Sequence, residues 1–196
     1  MKKRSFAIDL NAPVILWLTL IAFIVLIIDI TTPINMTMLL GARRTSFLDP
    51  MQYVRLFTHV VAHSGMGHYV GNFMLILAIG PMVEEKYGST SLLLITVITA
   101  FVTGVINVVF FPGAVTVGAS GIVFMLILMA SFTNIRQGRL PITVLLVAVL
   151  YIGNEVMQGL FTSSNISHIS HIVGGLCGAV FGVVFHAKKL RSELSL

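Results

Sequence analysis

Charge is scarce in this chain. Only 10% of its 196 residues are Asp, Glu, Lys or Arg, while 57% are apolar. A soluble domain needs far more charge than that to cover its surface. Cysteine is almost missing too. Cys177 stands alone inside an apolar run, which excludes an internal disulfide and leaves the redox compartment open. Long linkers, low-complexity tracts and soluble appendages are absent, so residues 1–196 read as a single domain. The net charge of +5 does not point to nucleic acid, because no basic stripe is interleaved with aromatic residues. The Lys and Arg residues sit instead in short clusters between apolar runs, which is how membrane topology is encoded.

What the chain does have is apolar stretches of about 20 residues, the length that a hydrocarbon core of about 30 Å demands of one helix. Six spans are expected, over Pro13–Asp29, Gly67–Val83, Ser91–Phe110, Ser120–Ile135, Pro141–Leu160 and His168–His186. The fold class that follows is an all-α, polytopic membrane bundle of six transmembrane helices. Met1-Lys-Lys-Arg4 precedes the first run, but no convincing small-x-small cleavage site follows it, so it reads as an uncleaved first helix rather than a signal peptide.

Six spans put both termini on one side. With the termini in the cytoplasm, Lys2, Lys3, Arg4, Lys86, Arg136, Arg139, Lys188, Lys189 and Arg191 lie inside, and only Arg43, Arg44 and Arg55 lie outside. The positive-inside rule favours that orientation. Thr31–Met66 then forms a long external loop, and its Leu56-Phe57 and Val60-Val61 pairs suit the membrane interface. The small size and the lack of a targeting peptide suggest a prokaryotic inner membrane.

The fourth span is short. At about 1.5 Å per residue, Ser120–Ile135 covers roughly 24 Å, less than the hydrocarbon thickness. The segment Phe111–Gly118 before it must therefore dip inward. Irregular backbone at that depth survives only where protein or a water-filled cavity surrounds it. Ser120 is thus expected at a helix start, below the membrane surface and facing a wet cavity.

Five of the six histidines, His59, His63, His68, His168 and His171, fall at the same end of the bundle. Polar residues inside spans are costly and mark function by default, although interhelical hydrogen bonding explains any one of them equally well. Gly118-Ala-Ser120-Gly121 is weak as a motif, because small residues are common where membrane helices pack. Its place at a helix N-terminus strengthens it: unpaired N–H groups there can stabilise an oxyanion, and the flanking glycines admit a substrate backbone. A serine hydroxyl needs a base. His171 opens the sixth helix at the same depth, on a face shared with Gly174, Gly178 and Gly182, and close helix packing along that stripe brings it towards Ser120. His68 and Asn72, four apart on the second span, share a face, and the Asn72 amide can donate to an oxyanion. Packing alone accounts for the glycines, and an interhelical hydrogen bond for His68 and Asn72.

Together, His63-x4-His68-x3-Asn72, Gly118-x-Ser120-Gly121 and His171-x2-Gly174-x3-Gly178 resemble the rhomboid family of intramembrane serine proteases, in the family's order and on its second, fourth and sixth spans. Glu84-x3-Gly88 resembles a turn of the same family, and the likeness runs from about Arg55 to Gly182. The resemblance implies a Ser120 nucleophile and a His171 base acting as a dyad. It implies an oxyanion hole of His68, Asn72 and the Ser120 N–H, with Gly118 and Gly121 shaping the loop. The substrates it implies are transmembrane helices of other proteins in the lipid bilayer, cut near the external surface, with no metal or cofactor. Two positions depart from the pattern. Val54-Arg55 replaces Trp-Arg in the external loop, and Phe124 stands where many bacterial members have a tyrosine stacked on the base.

Several residues fit less directly. His168 lies one turn before His171 but lacks its glycine spacing. Asn154 and Glu155 in the fifth span read as structural glue, with gating of substrate entry as the other reading. His59 and His63 are expected to support the external loop rather than do chemistry, and His186 reads as interfacial. Two other functions stay open: a histidine-rich metal or haem membrane protein, and an inactive relative that binds membrane proteins without cutting them.

Overall fold

The computed structural model of the chain describes residues 10–132 and 165–194, five isolated positions between 142 and 153, and, in the second segment, the side chains of 168–185. Apart from those five positions the fifth expected span, including Asn154 and Glu155, lies outside the described residues, as do Arg136, Arg139 and the side chain of His186.

Seven helices are described: α1 (Pro13–Thr31), α2 (Met36–Leu40), α3 (Pro50–Thr58), α4 (Met66–Tyr87), α5 (Ser89–Phe110), α6 (Ser120–Phe132) and α7 (Asn165–Leu194). Among the described residues there is no β-strand, only a single antiparallel bridge between Ala42 and Thr116. Among the described residues, helices α1, α4 and α5, and the His168–Phe185 part of α7, are long and apolar enough to cross a membrane, and they correspond to four of the six expected spans. The described part of α6 is a shorter apolar helix of 13 residues, roughly 20 Å at 1.5 Å per residue.

Helix α6 is the centre of the bundle. Gly121 through Leu126, then Leu128 and Met129, are all buried, so almost every face of it is covered. A helix that is apolar all round belongs in an interior. Helices α4, α5 and α7 pack against it, α7 most extensively. The α6–α7 contact is backbone on backbone. A Cβ built on Gly174 would come within 2.7 Å of the Gly121 backbone, and one on Gly178 within 2.8 Å of the Met125 Cα. Lipid supplies no hydrophobic drive between helices, so close packing of this kind is what holds them together.

On the other side, α1 docks on α4 through a carboxylate. The first turn of α1 has no side-chain cap. Glu84, 2% exposed, accepts the Val14 N–H at 3.0 Å and the Ile15 N–H at 3.1 Å. Those N–H groups would otherwise be orphaned where water is scarce. Gly88 then ends α4 with a φ of 84°, the left-handed region that glycine enters freely.

The segment read as one external loop is more structured than the sequence suggested. Asn35 caps α2 by accepting from the Met38 N–H, and Asp49 caps α3 by accepting from the Met51 N–H. Arg55 ties the two short helices together: its Nε donates to the Leu39 carbonyl at 3.0 Å and its Nη1 reaches Asp49 at 3.1 Å. The Thr45 hydroxyl, the Met51 N–H and Arg55 hold the Asp49 carboxyl below its ordinary range. The arginine of the Val54-Arg55 pair is therefore enough to fix this segment without a tryptophan beside it. Helix α3 rests on α5, where a Cβ on Gly104 would meet the Leu56 backbone at 2.6 Å.

The glycine contacts yield a direct test. In Gly178→Val the added side chain runs into the Met125 backbone, which cannot move aside as a side chain can. Overpacking of this kind costs roughly 1–3 kcal/mol or more. The melting temperature in detergent should fall by several degrees, and any activity that depends on α6 and α7 should fall with it. Unchanged melting would mean that the helices do not touch there.

Candidate active site

The site is built where α6 begins. Gly118 has a φ of 117°, again in the glycine region, and any side chain on it would collide with its surroundings. A Cβ there would stand 2.6 Å from the His68 Nε2 and 3.4 Å from the Asn72 Nδ2. Both polar side chains of α4 thus converge on the backbone just before Ser120. The Asn72 amide nitrogen is buried and has no acceptor among the described residues. A buried, unused amide donor is costly to keep and calls for an explanation. The Ser64 hydroxyl lies 3.1 Å from the His68 Nδ1. If it donates there, the His68 Nε2 keeps its proton and becomes a second donor facing the same point.

Ser120 is half-buried at the first position of α6. Its neighbour Gly121 faces the Ser170 carbonyl, 3.5 Å from where a Cβ would be, and packs on Gly174. Ser120 and His171 are therefore the residues next to one tight contact. Phe124, one turn below Ser120, stacks flat on the His171 imidazole, with ring centroids 4.5 Å apart and an interplanar angle of 14°. His68 and His171 lie within electrostatic reach of each other. The sequence-expected residues Ser120, His171, His68, Asn72, Gly118, Gly121, Phe124, Gly174 and Gly178 thus come together at one end of the bundle. His168 meets His171 edge-on, with ring centroids 6.3 Å apart.

The roles of His59 and His63 turn out to be closer to the site than loop support. The Gly118 N–H donates to the His59 carbonyl at 2.9 Å. The His59 ring, itself buried, donates from Nε2 to the Ala100 carbonyl at 3.0 Å. The His63 Nε2 accepts the Ala119 N–H across a long 3.4 Å contact, and its Nδ1 faces the Val61 carbonyl at 3.4 Å. Further back, Ala42 and Thr116 exchange two backbone hydrogen bonds of 2.9 Å, and the Asn107 amide donates to the Thr116 hydroxyl. The Gly118–Ser120 segment is held from behind by these bonds. A sequence signal existed in the four-residue step from His59 to His63, but nothing local ties those residues to a backbone more than fifty positions away.

Comparison with known proteins gives the family. Residues 50–188 match the Rhomboid domain, and the chain belongs to the rhomboid family. It is 30% identical over 146 residues to Rhomboid protease GluP of Bacillus subtilis, covering 72% of this chain and 27% of that protein. It is 27% identical over 134 residues to RHOMBOID-like protein 1 of Arabidopsis thaliana, covering 67% and 34%. It is 32% identical over 112 residues to Rhomboid-like protease 3 of Toxoplasma gondii, covering 54% and 43%. The chain thus spans between about a quarter and two fifths of these relatives' own lengths. Family and apolar helices together make it an integral membrane protein.

The His63 contacts carry a pH consequence. A ring that accepts from one N–H and faces a carbonyl with its other nitrogen must be neutral. Burial, and then His68, push its pKa down from 6.5 to about 4. Protons therefore bind the unfolded chain more readily than the fold between those values. Stability contributed by this residue should be unaffected above pH 6.5, decline as pH falls towards 4, and level off below that. Melting curves of wild type and His63→Gln across pH 4–7.5 should diverge least at the acid end. A constant gap at every pH would remove His63 from that role.

Proposed function

We propose that this protein is an intramembrane serine endopeptidase that cuts transmembrane segments of other membrane proteins, with Ser120 as nucleophile and His171 as general base. The observation that carries the reading is the flat stack of Phe124 on His171 beside the Gly121–Gly174 contact. It supports the reading because hydroxyl activation needs an imidazole held in a set orientation near the serine. An aromatic face can hold the ring without the hydroxyl that a tyrosine would add.

In the first step the Ser120 oxygen attacks the scissile carbonyl while His171 takes the hydroxyl proton. The oxyanion is met by the Asn72 amide, the His68 Nε2–H and the Ser120 N–H at the α6 N-terminus. His171 then gives its proton to the leaving amine, and the C–N bond breaks to leave an acyl-serine. A water, deprotonated by His171, attacks that ester and frees Ser120. The unused Asn72 amide supports its assignment, because its value is realised only when negative charge develops. The glycine at 118 leaves room for the substrate backbone beside these donors.

The competing functions are separated by what they ask of the same residues. An inactive binder would tolerate loss of Ser120. A metal protein would need the histidine nitrogens for the ion and leave Ser120 unreactive. Purified protein treated with a fluorophosphonate should carry one adduct, on Ser120, absent in His171→Ala and indifferent to a strong chelator. On a model transmembrane substrate in liposomes, Ser120→Ala and His171→Ala should each abolish cleavage, and the double variant should be no worse, since the pair acts as a unit. Asn72→Ala should cost roughly 10- to 1,000-fold, the range for one oxyanion donor among several. Near wild-type turnover in either purified dyad variant would sink the assignment.

A further inference from the structure

The turn between α2 and α3 exposes what a water-facing loop should hide. Leu48 is 92% exposed and Phe47 is 68% exposed, side by side at its tip. The Arg44 guanidinium lies over the Phe47 ring, 5.7 Å from its centroid. Arg43, the residue before it, donates to the Met38 carbonyl and keeps other N–H groups for an outside partner. Exposed apolar side chains next to paired cations fit neither a solvated loop nor a packed one.

The apolar surface does not stop at the tip. The Tyr53 hydroxyl donates to the Phe47 carbonyl at 3.0 Å, which fastens the tip to α3. Tyr53, Val54 and Phe57 project from the exposed face of α3, and Phe57 stacks on Phe101 of α5, 5.3 Å between centroids. Phe101 is itself on the exposed, lipid-facing side of a membrane-length helix. It lies nine residues before the Phe110 end of α5, roughly 13 Å along the helix axis. One apolar band therefore runs from a span, across α3, to Phe47 and Leu48, and the C-terminal end of α3 lies at membrane depth. The aromatic residues suit the interface between hydrocarbon and headgroups.

Charge decides what meets the tip. Between Thr32 and Gly65 the only acidic residue is Asp49, and Arg55 already occupies it. Arg43 and Arg44 are left as the uncompensated charges of the whole segment. We propose that this tip is an anionic-phospholipid anchor: Phe47 and Leu48 enter the leaflet on the side of the active site, and Arg43 and Arg44 bind the phosphate groups of negatively charged headgroups above them. Arginine suits that task because its planar fork pairs with phosphate oxygens in a bidentate way. The anchor would concentrate acidic lipid beside the segment that holds Gly118 and Ser120 from behind.

The test needs no enzymatic activity. Trp17 is the only tryptophan, so the full-length Trp17→Phe/Phe47→Trp variant reports on the tip alone. It is reconstituted in phosphatidylcholine vesicles containing increasing mole fractions of brominated phosphatidylcholine or brominated phosphatidylglycerol, and fluorescence quenching is read. Brominated phosphatidylglycerol should reach half-maximal quenching at roughly a fivefold lower mole fraction, the enrichment expected from one basic residue at an anionic surface, and more if both arginines act. The preference should shrink in 0.5 M salt and vanish when Arg43→Gln and Arg44→Gln are added, while Arg43→Lys/Arg44→Lys should retain most of it. Equal quenching by the two lipids would overturn the proposal, leaving an apolar contact without headgroup choice. So would absence of quenching by either, which would place the tip in water or on a protein. A preference that survives the double glutamine variant would also overturn it.

Discussion

Everything at the candidate site depends on two helices lying closer together than side chains allow. Helix α7 presents Gly174 and Gly178 to the backbone of α6 at Gly121 and Met125. In water such a contact would be one of many contributions to stability, because burial of apolar area would dominate. In lipid the hydrocarbon tails are as good a partner as leucine, and close packing takes over. The spacing that results sets the distance between the residues beside it. Ser120 and His171 inherit their relation from glycines that do no chemistry.

The second constraint is the cost of polar backbone where water is scarce. The segment between Phe111 and Ala119 connects α5 to α6 as irregular backbone, and its N–H and C=O groups must find partners outside a helix. The partners come from a stretch of chain far away in sequence: the His59 carbonyl for Gly118, the His63 ring for Ala119, and Ala42 for Thr116. Two short helices and Arg55 keep that stretch in place. That stretch is thus less a cover than the back wall of the candidate site, and His59 and His63 both meet the backbone there.

Much of this was legible from the residues. The first three spans begin and end within a few positions of the helices seen, because a run of apolar side chains long enough to cross a bilayer leaves little choice of structure. Helix α4 runs on past the expected Val83 to Tyr87. Glu84, Glu85 and Lys86 looked like the end of a span, yet the helix continues until Gly88 stops it. The convergence of Ser120, His171, His68 and Asn72 on one end could be read from depth alone. What could not be read were contacts set by tertiary approach, such as His63 with Ala119, 56 positions apart, and Glu84 with the start of α1. The short helices α2 and α3, capped by Asn35 and by Asp49 with Pro50 after it, were not expected, because that stretch has no long apolar run.

The anchoring of α1 by Glu84 also bears on how the molecule is made. The carboxylate that satisfies the Val14 N–H lies 70 residues further along the chain. At ordinary translation rates of about 5–20 residues per second, the first helix waits roughly four to fourteen seconds before its partner is synthesised. During that interval its opening turn has no acceptor from α4 and must keep its N–H groups in hydrated headgroups. Helix α1 is therefore fastened only once the end of α4 has been made, and before α5, α6 and α7 follow. Biogenesis of this protein thus includes one defined event, the arrival of one acidic residue at the end of a helix that was already in place.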